Sequence, residues 1–443
     1  MPNTLRFSMF LRTVAFVAAV VLTVSTASAQ IYQGAVGGVS FDARGVVTRA
    51  TVEDTAKLQE TLNAALAPVA SDLAAESTRR VVSLRGLEAE VAKAAEAGTP
   101  IPDEVQYLAG LRRIEHVLVD QEHHDILLVG PAEGWKVDAN GNVVGLASEL
   151  PVMQLDDLLT ALRAADAKEQ ISCSIDPTPE GVVRLRQASR HLTAQSSPQE
   201  NASIMSEALG DQTVSVTGVP ADSRFARVLV AADFRMKSIS LEFEPSPVRS
   251  LPSFLSMMNR SHTVASPRFW LEPTYAEVVR NEAGTVWKLS GASVKAMSET
   301  DYVNANGERA GSGRTDAASQ KWAQRMTKAY PELSKAEPIF AEVQNCMDFA
   351  VVAALLRQAE LIRVAQYDFP ILFGQSGDVE TAQLPAPKTI PSGSNFVRQN
   401  RGTLYASGGV AMNPAQYLSQ AKTDESLTEE VKIAFVENRW WWD

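Results

Sequence analysis

Glu122-His123-His124-Asp125 is the densest run of acid–base and metal-ligating residue types in the chain. Zinc and related ions take imidazole nitrogen and carboxylate oxygen. Four consecutive residues point in different directions, so a single face presents two of them. The run also falls between two apolar segments that read as strands. The expectation is a polar hairpin loop and no metal site. A second cluster is Gly311-Ser312-Gly313-Arg314-Thr315-Asp316. Backbone N–H groups around Gly311, Ser312 and Gly313, together with the Arg314 guanidinium, make a weak anion-loop candidate ahead of a helix. No Lys-Ser/Thr continuation follows, so it is not a P-loop. Asp316 at the positive helix end also opposes a phosphate.

Nucleophilic catalysis has less support. The chain has no Gly-x-Ser-x-Gly elbow and no Ser-x-x-Lys in a fitting helix-start setting. His191 and His262 are isolated, so a Ser-His-Asp site would have to be assembled from distant residues. Asp156-Asp157 reads as a helix start and Glu242/Glu244 as a solvated strand face, although paired carboxylates are also what a glycosidase uses. The segment from Arg224 to Lys237 mixes Phe225, Val228, Leu229 and Ala232 with Arg227, Asp233, Arg235 and Lys237. Its polar side is expected to pair internally rather than read an acidic ligand. Arg439-Trp440-Trp441-Trp442-Asp443 offers rings that stack on sugars, dock on a partner or pack against the body.

These groups lie behind an export address. Arg6 and Arg12 precede an apolar run over Phe16 to Leu22, and Ala27-Ser28-Ala29 supplies small residues for cleavage after Ala29. Residues 1–29 are therefore expected to be a signal peptide, since the run is shorter than the roughly 20 residues of a membrane span. No later stretch reads as a stop-transfer helix. The expectation is a soluble protein of the periplasm or exterior, with no transmembrane anchor after cleavage. Of the 41 Lys and Arg, two lie in residues 1–29, which leaves 39 against 52 acidic residues. That balance argues against nucleic acid and anionic lipid as partners. Cys173 and Cys346 are either buried thiols or, in an oxidising compartment, a disulfide pair.

The elements that must position these groups alternate. Gly34 to Val47 reads as a Gly-rich hairpin, followed by a helix capped at Thr51. Ser83 to Ala97 is a helix stopped at Gly98-Thr99-Pro100, and Pro102 opens another through Leu111. Ile114–Val119 and Asp125–Val129 are strands, and Leu155 to Ala165 is a helix with one leucine stripe. Ile171 begins strand–helix alternation: a strand at Cys173, a helix from Pro179, a strand at Thr213–Thr217. An Asp222-capped helix to Lys237 and a strand at Ser238–Phe243 follow. Arg268 to Ser290 reads as antiparallel strands, Asp316 to Tyr330 as an amphipathic helix, and Pro338 to Ile362 as a long central helix. Gly374 to Asn395 has loop composition, and Ser426 to Glu437 reads as a final helix.

One turn motif recurs. Asp42-Ala43-Arg44-Gly45, Asp138-Ala139-Asn140-Gly141, Asn281-Glu282-Ala283-Gly284 and Asn304-Ala305-Asn306-Gly307 place Asp or Asn three residues before Gly, which is hairpin chemistry. Ala35–Val39 also echoes Ala406–Val410, as corresponding strand entries would.

Four segments carry a likeness: Gly130-Pro131-Ala132-Glu133-Gly134-Trp135, Val228 to Val248, Met297 to Val303, and Asn345-Cys346-Met347-Asp348. Through them the chain resembles, over Gly34 to Leu361, a family of exported proteins common in planctomycetes and classed as a domain of unknown function. The resemblance implies no activity, cofactor or catalytic residue.

The expected fold is α/β or α+β, a mixed sheet with packed helices, an N-terminal helical segment and several hairpins. The expected divisions are 30–165, a core at 166–373, a loop or linker at 374–395 and a closing strand and helix at 396–443. The expected function is non-enzymatic binding of an envelope or extracellular component, without a cofactor. The alternative is an exported hydrolase using distant carboxylates or histidines.

Overall fold

Strand propensity and alternation build two seven-stranded mixed sheets. The first runs Arg309–Gly311, Ser293–Val303, Ser266–Thr274, Ser407–Met412, Ile171–Pro177, Gln212–Thr217, Thr389–Ile390. The second runs Lys422–Thr423, Glu277–Arg280, Val286–Ser290, His116–Asp120, Asp125–Ala132, Ser77–Ser83, Trp441–Trp442. The computed structural model describes residues 66–443 except 140, 165–169, 192–196, 259–265, 377–378, 393–394, 398–401 and 405. Before residue 66 it describes the small sheet of Ala35–Val36, Val39–Phe41 and Val47–Arg49, and residues 59–60. The signal-peptide segment and the helix at Thr51 lie outside the described residues.

Period-2 patterning works as expected in the first sheet. Ile171, Cys173 and Ile175 point into the core, while Ser172, Ser174 and Asp176 are half-buried on the other face. The helix Pro338–Gln358 is buried along nearly its whole length and packs on helices Leu155–Ala164, Arg224–Ser240 and Ala317–Ala336. It is long and apolar enough to cross a membrane, contrary to the sequence expectation, yet 94% of its apolar window is buried inside the protein. One hydrophobic core joins it to both sheets, taking Val117 and Leu128 from the second and Phe269, Leu271 and Val410 from the first.

The recurrent turn forms as its sequence predicts in three described copies. Gly141, Gly284 and Gly307 N–H groups donate to the carbonyls of Asp138, Asn281 and Asn304. The same Asp or Asn side chain accepts the N–H four residues on, at 2.8, 2.9 and 3.0 Å. Each copy closes a hairpin, and each glycine has positive φ. The turn at Asp42 lies outside the described residues, although its flanking Phe41 and Val47 pair.

Several sequence expectations are corrected. Ser238–Phe243 is not a strand: the Arg224 helix runs to Ser240, capped at Ser223 rather than Asp222. Ser238, Ile239 and Ser240 are all buried, and the alternation of Ser238-Ile239-Ser240-Leu241-Glu242-Phe243 mimics the period of a strand. Of the loop or linker expected over 374–395, the described residues form a mostly exposed loop tied to the body. Leu384 and Ala386 donate to the carbonyls of Asp222 and Ala221, and Thr389–Ile390 joins the first sheet. The helix expected over Ser426–Glu437 is a single turn, Leu427–Glu430. Beyond it the chain follows the outer apolar face of the second sheet, where Leu427, Val431, Ile433 and Val436 pack on Val81, Leu118, Leu127 and Val129. Ala35–Val39 and Ala406–Val410 belong to different sheets, so their likeness is one of composition.

Candidate functional site

A cleft of about 610 Å³ forms where the Leu84–Ala97 helix starts, beside the hairpin turn 121–124 and the segment 435–440. Close approach shapes it: a Cβ on Gly86 would sit 2.5 Å from the Trp440 Cβ, so glycine lets the segment lie against the helix. Ser83 N–H donates to the Trp440 carbonyl at 2.8 Å, and Asn438 takes a left-handed turn with φ of 61°.

The helix start is already satisfied. Ser83 Oγ accepts from Gly86 N–H at 2.8 Å and donates to Asp125. Asp125 also accepts from the N–H groups of Arg85 and Ile126, at 2.9 and 2.7 Å. Burial pushes the Asp125 carboxyl up, against those hydrogen bonds.

The Glu122–Asp125 run behaves as a hairpin loop. His123 Nδ1 meets Asp120 at 2.8 Å, and the ring stacks on Phe435 with centroids 3.6 Å apart and planes 7° from parallel. His124 Nδ1 instead meets the Ala365 carbonyl at 3.1 Å, while Glu122 is exposed. The two imidazoles and Asp125 thus have different partners, and Glu122 faces solvent. Among the described residues no group of three or more His, Cys, Asp or Glu is placed to hold a metal.

The weak anion loop is filled by the protein's own groups. Gly313 N–H donates to Glu299 and Arg314 N–H to Ser312 Oγ, while a Cβ on Gly311 would touch the Glu299 carboxylate. Asp316 caps the following helix through the N–H groups of Ala318 and Ser319. Cys173 and Cys346 are free, buried and not brought together. Cys173 lies near Asp233 and Lys237, and Cys346 near Asp157 and Arg224. Burial pushes both thiols well up.

Buried charge concentrates along the Arg224 helix, paired internally as its sequence suggests. Arg224 meets both Asp157 and Glu342, and Arg235 meets Glu337 and Glu244. Asp157 is pushed up to about 7, first by burial, with Glu342 and Asp156 adding to it and Arg224 opposing. Lys237 Nζ donates to Asp233 at 2.9 Å, to the Ile175 carbonyl at 2.5 Å and to the Gly408 carbonyl at 3.1 Å. All three ammonium protons have acceptors, so Lys237 ties helix to sheet and has none left for chemistry. Sequence spacing could find only the Asp233–Lys237 pair, at i and i+4; the other partners come from distant elements.

A DUF1598 domain of unknown function is found at residues 173–254. No curated protein and no solved structure matches the chain. The DUF1598 segment comprises strand Ile171–Pro177 less Ile171 and Ser172, strand Gln212–Thr217, and helices Pro179–His191, Pro198–Leu209 and Arg224–Ser240. The cleft at His123 lies outside it.

Proposed function

We propose that this is an exported, non-enzymatic binding protein of the cell envelope or exterior, and that its ligand occupies the cleft beside His123. One observation carries the reading. The cleft brings exposed Phe435, Arg85, Asn438 and Glu122 together, while Ser83, the one hydroxyl among its lining residues, caps the helix and donates to Asp125. Such a site recognises through a rim rather than through a poised nucleophile. Export rests on the signal-type residues 1–29, and the planctomycete resemblance agrees with it. Purified exported protein is expected to begin at Gln30 by intact mass, and an uncleaved mass would refute the address.

The hydrolase alternative rests on the Asp120–His123 pair, the arrangement that orients an imidazole general base. Panels of polysaccharide, peptidoglycan and ester substrates separate the two. The binding reading expects no turnover above blank, and turnover abolished in His123→Asn would replace it with the alternative.

A further inference from the structure

The geometry points to an uncharged saccharide chain as the ligand of this cleft, an inference that rests on reading the cleft as a binding site. Its charge excludes the simpler choices. Arg85 and Arg439 line it together with Glu90 and Glu122, and Arg85, Arg439 and Glu90 already meet the His123 carbonyl, Asp72 and Lys93, so no unmatched charge of one sign awaits a multiply charged ligand. The helix N-terminus, which would otherwise attract a phosphate, is occupied by Asp125 and Ser83. What remains is a lining that mixes donors and acceptors. Guanidinium and amide N–H groups donate, and carboxylates and the Asn438 carbonyl accept. A sugar hydroxyl is donor and acceptor at once and meets both kinds without a charge mismatch.

The apolar part fits the same class. Phe435 is 37% exposed although its ring stacks on His123 and meets Trp442 edge-on, and the half-buried Trp440 lines the cleft beside it. Aromatic faces of this kind cover the C–H side of a pyranose ring while the rim takes its hydroxyls. Ala89 and Gly86 keep the helix side low, and most lining residues are solvent-exposed. The cleft is thus an open trough of about 610 Å³, within the roughly 300–1,000 Å³ range of small-molecule sites. An open trough accepts the interior of a polymer as well as a free oligosaccharide.

The test titrates the full exported chain with chitotetraose, cellotetraose and maltotetraose, and with tetragalacturonate, sulfate and phosphate as charged probes. Binding is read by calorimetry and by tryptophan fluorescence. At least one neutral tetrasaccharide is expected to bind with Kd of about 1 mM or below. Phe435→Ala should weaken it at least about tenfold, and Trp440→Phe should remove the fluorescence change. Glu122→Lys, on an exposed turn, keeps the test open if Phe435→Ala fails to fold, and should weaken the same sugar. Pull-down on the matching insoluble polymer distinguishes a matrix from a free sugar. If no neutral sugar binds but a charged probe does, with loss in Arg85→Ala, the saccharide is wrong and the cleft still binds. Neutral-sugar binding unmoved by all three cleft variants also overturns the assignment. If a neutral tetrasaccharide is cleaved, and cleavage is lost in His123→Asn, the ligand class stands and the non-enzymatic reading falls.

Discussion

At the scale of single residues, buried polar groups do more for the fold than for chemistry. Lys237 and Asp233 are both buried, and the ammonium holds two strand carbonyls as well as the carboxylate. Lys237→Met is expected to cost about 3–5 kcal/mol, because a buried carboxylate loses its partner. Lys237→Met with Asp233→Leu should recover much of that in urea unfolding, and a double variant no more stable than the single one would refute the pair's role. The thiols make a second residue-scale prediction. Native protein should react with a thiol reagent at neither Cys173 nor Cys346, and denatured, unreduced protein should react at both. No titratable thiol after denaturation would mean a disulfide that this structure does not contain. Which polar residues pair was partly legible in advance, as with the i,i+4 spacing of Asp233 and Lys237. That Arg224 meets Asp157 and Glu342 was not, since nothing local links positions so far apart.

Elements show where legibility stops. Local chemistry decided the Ser83 cap, the Gly98 stop and the three Asx–Gly hairpins, and all of these were readable because each uses residues within one turn. The Ser238–Phe243 error has the opposite origin: those six residues alternate polar and apolar as a strand does, while the buried helix continues through the first three of them. The resemblance segments follow the same division. Glu133 accepts from Ala147 N–H at 2.6 Å, Asn345 donates to the Pro151 carbonyl at 3.2 Å, and Asp348 takes Arg113 at 2.6 Å and Tyr275 at 3.0 Å. Their distinctiveness is that of structural anchors. The 422–443 segment is the element with the clearest consequence. It supplies both edge strands of the second sheet and straps its outer apolar face between them. Arg80, fully buried, fastens the far end. It pairs with Asp443 at 2.8 and 3.0 Å, donates to the Ala109 carbonyl at 2.8 Å and lies over the Trp441 ring. Arg80→Leu should therefore cost about 1–3 kcal/mol, because the buried Ala109 carbonyl loses its donor, and Asp443→Asn, which keeps an acceptor for the guanidinium, should cost about 1 kcal/mol or less. Limited proteolysis checks the mechanism: Arg80→Leu should first be cut within 424–440, and cuts starting elsewhere would refute the strap.

For the whole molecule the sharpest consequence is an acid limb in stability. His116 sits on the second sheet beneath the strap, with both ring nitrogens buried and without a hydrogen-bond partner among the described residues. Burial, then the Lys288 and Arg79 charges, lower its pKa from 6.5 to about 4, against a smaller pull from Glu430. The unfolded chain therefore binds more protons than the native one between those values. The His116 contribution is complete above about pH 6.5 and is lost as pH falls towards 4. Asp157 and Asp233 act in the other direction. Burial raises each from 3.8 to about 7, so their protonated native forms favour folding at low pH and that advantage fades as pH rises through 7. The total slope is a contest between these groups, and a wild-type curve alone cannot isolate any of them. A difference can. Urea midpoints of wild type and His116→Phe, measured from pH 7.5 down to 4, should diverge below about 6.5. Wild type should lose about 1–2 kcal/mol relative to the variant, once the partial exposure of the imidazole is allowed for. Parallel curves would mean that His116 finds a partner or solvent in the native protein, and that the strap does not seal the sheet above it.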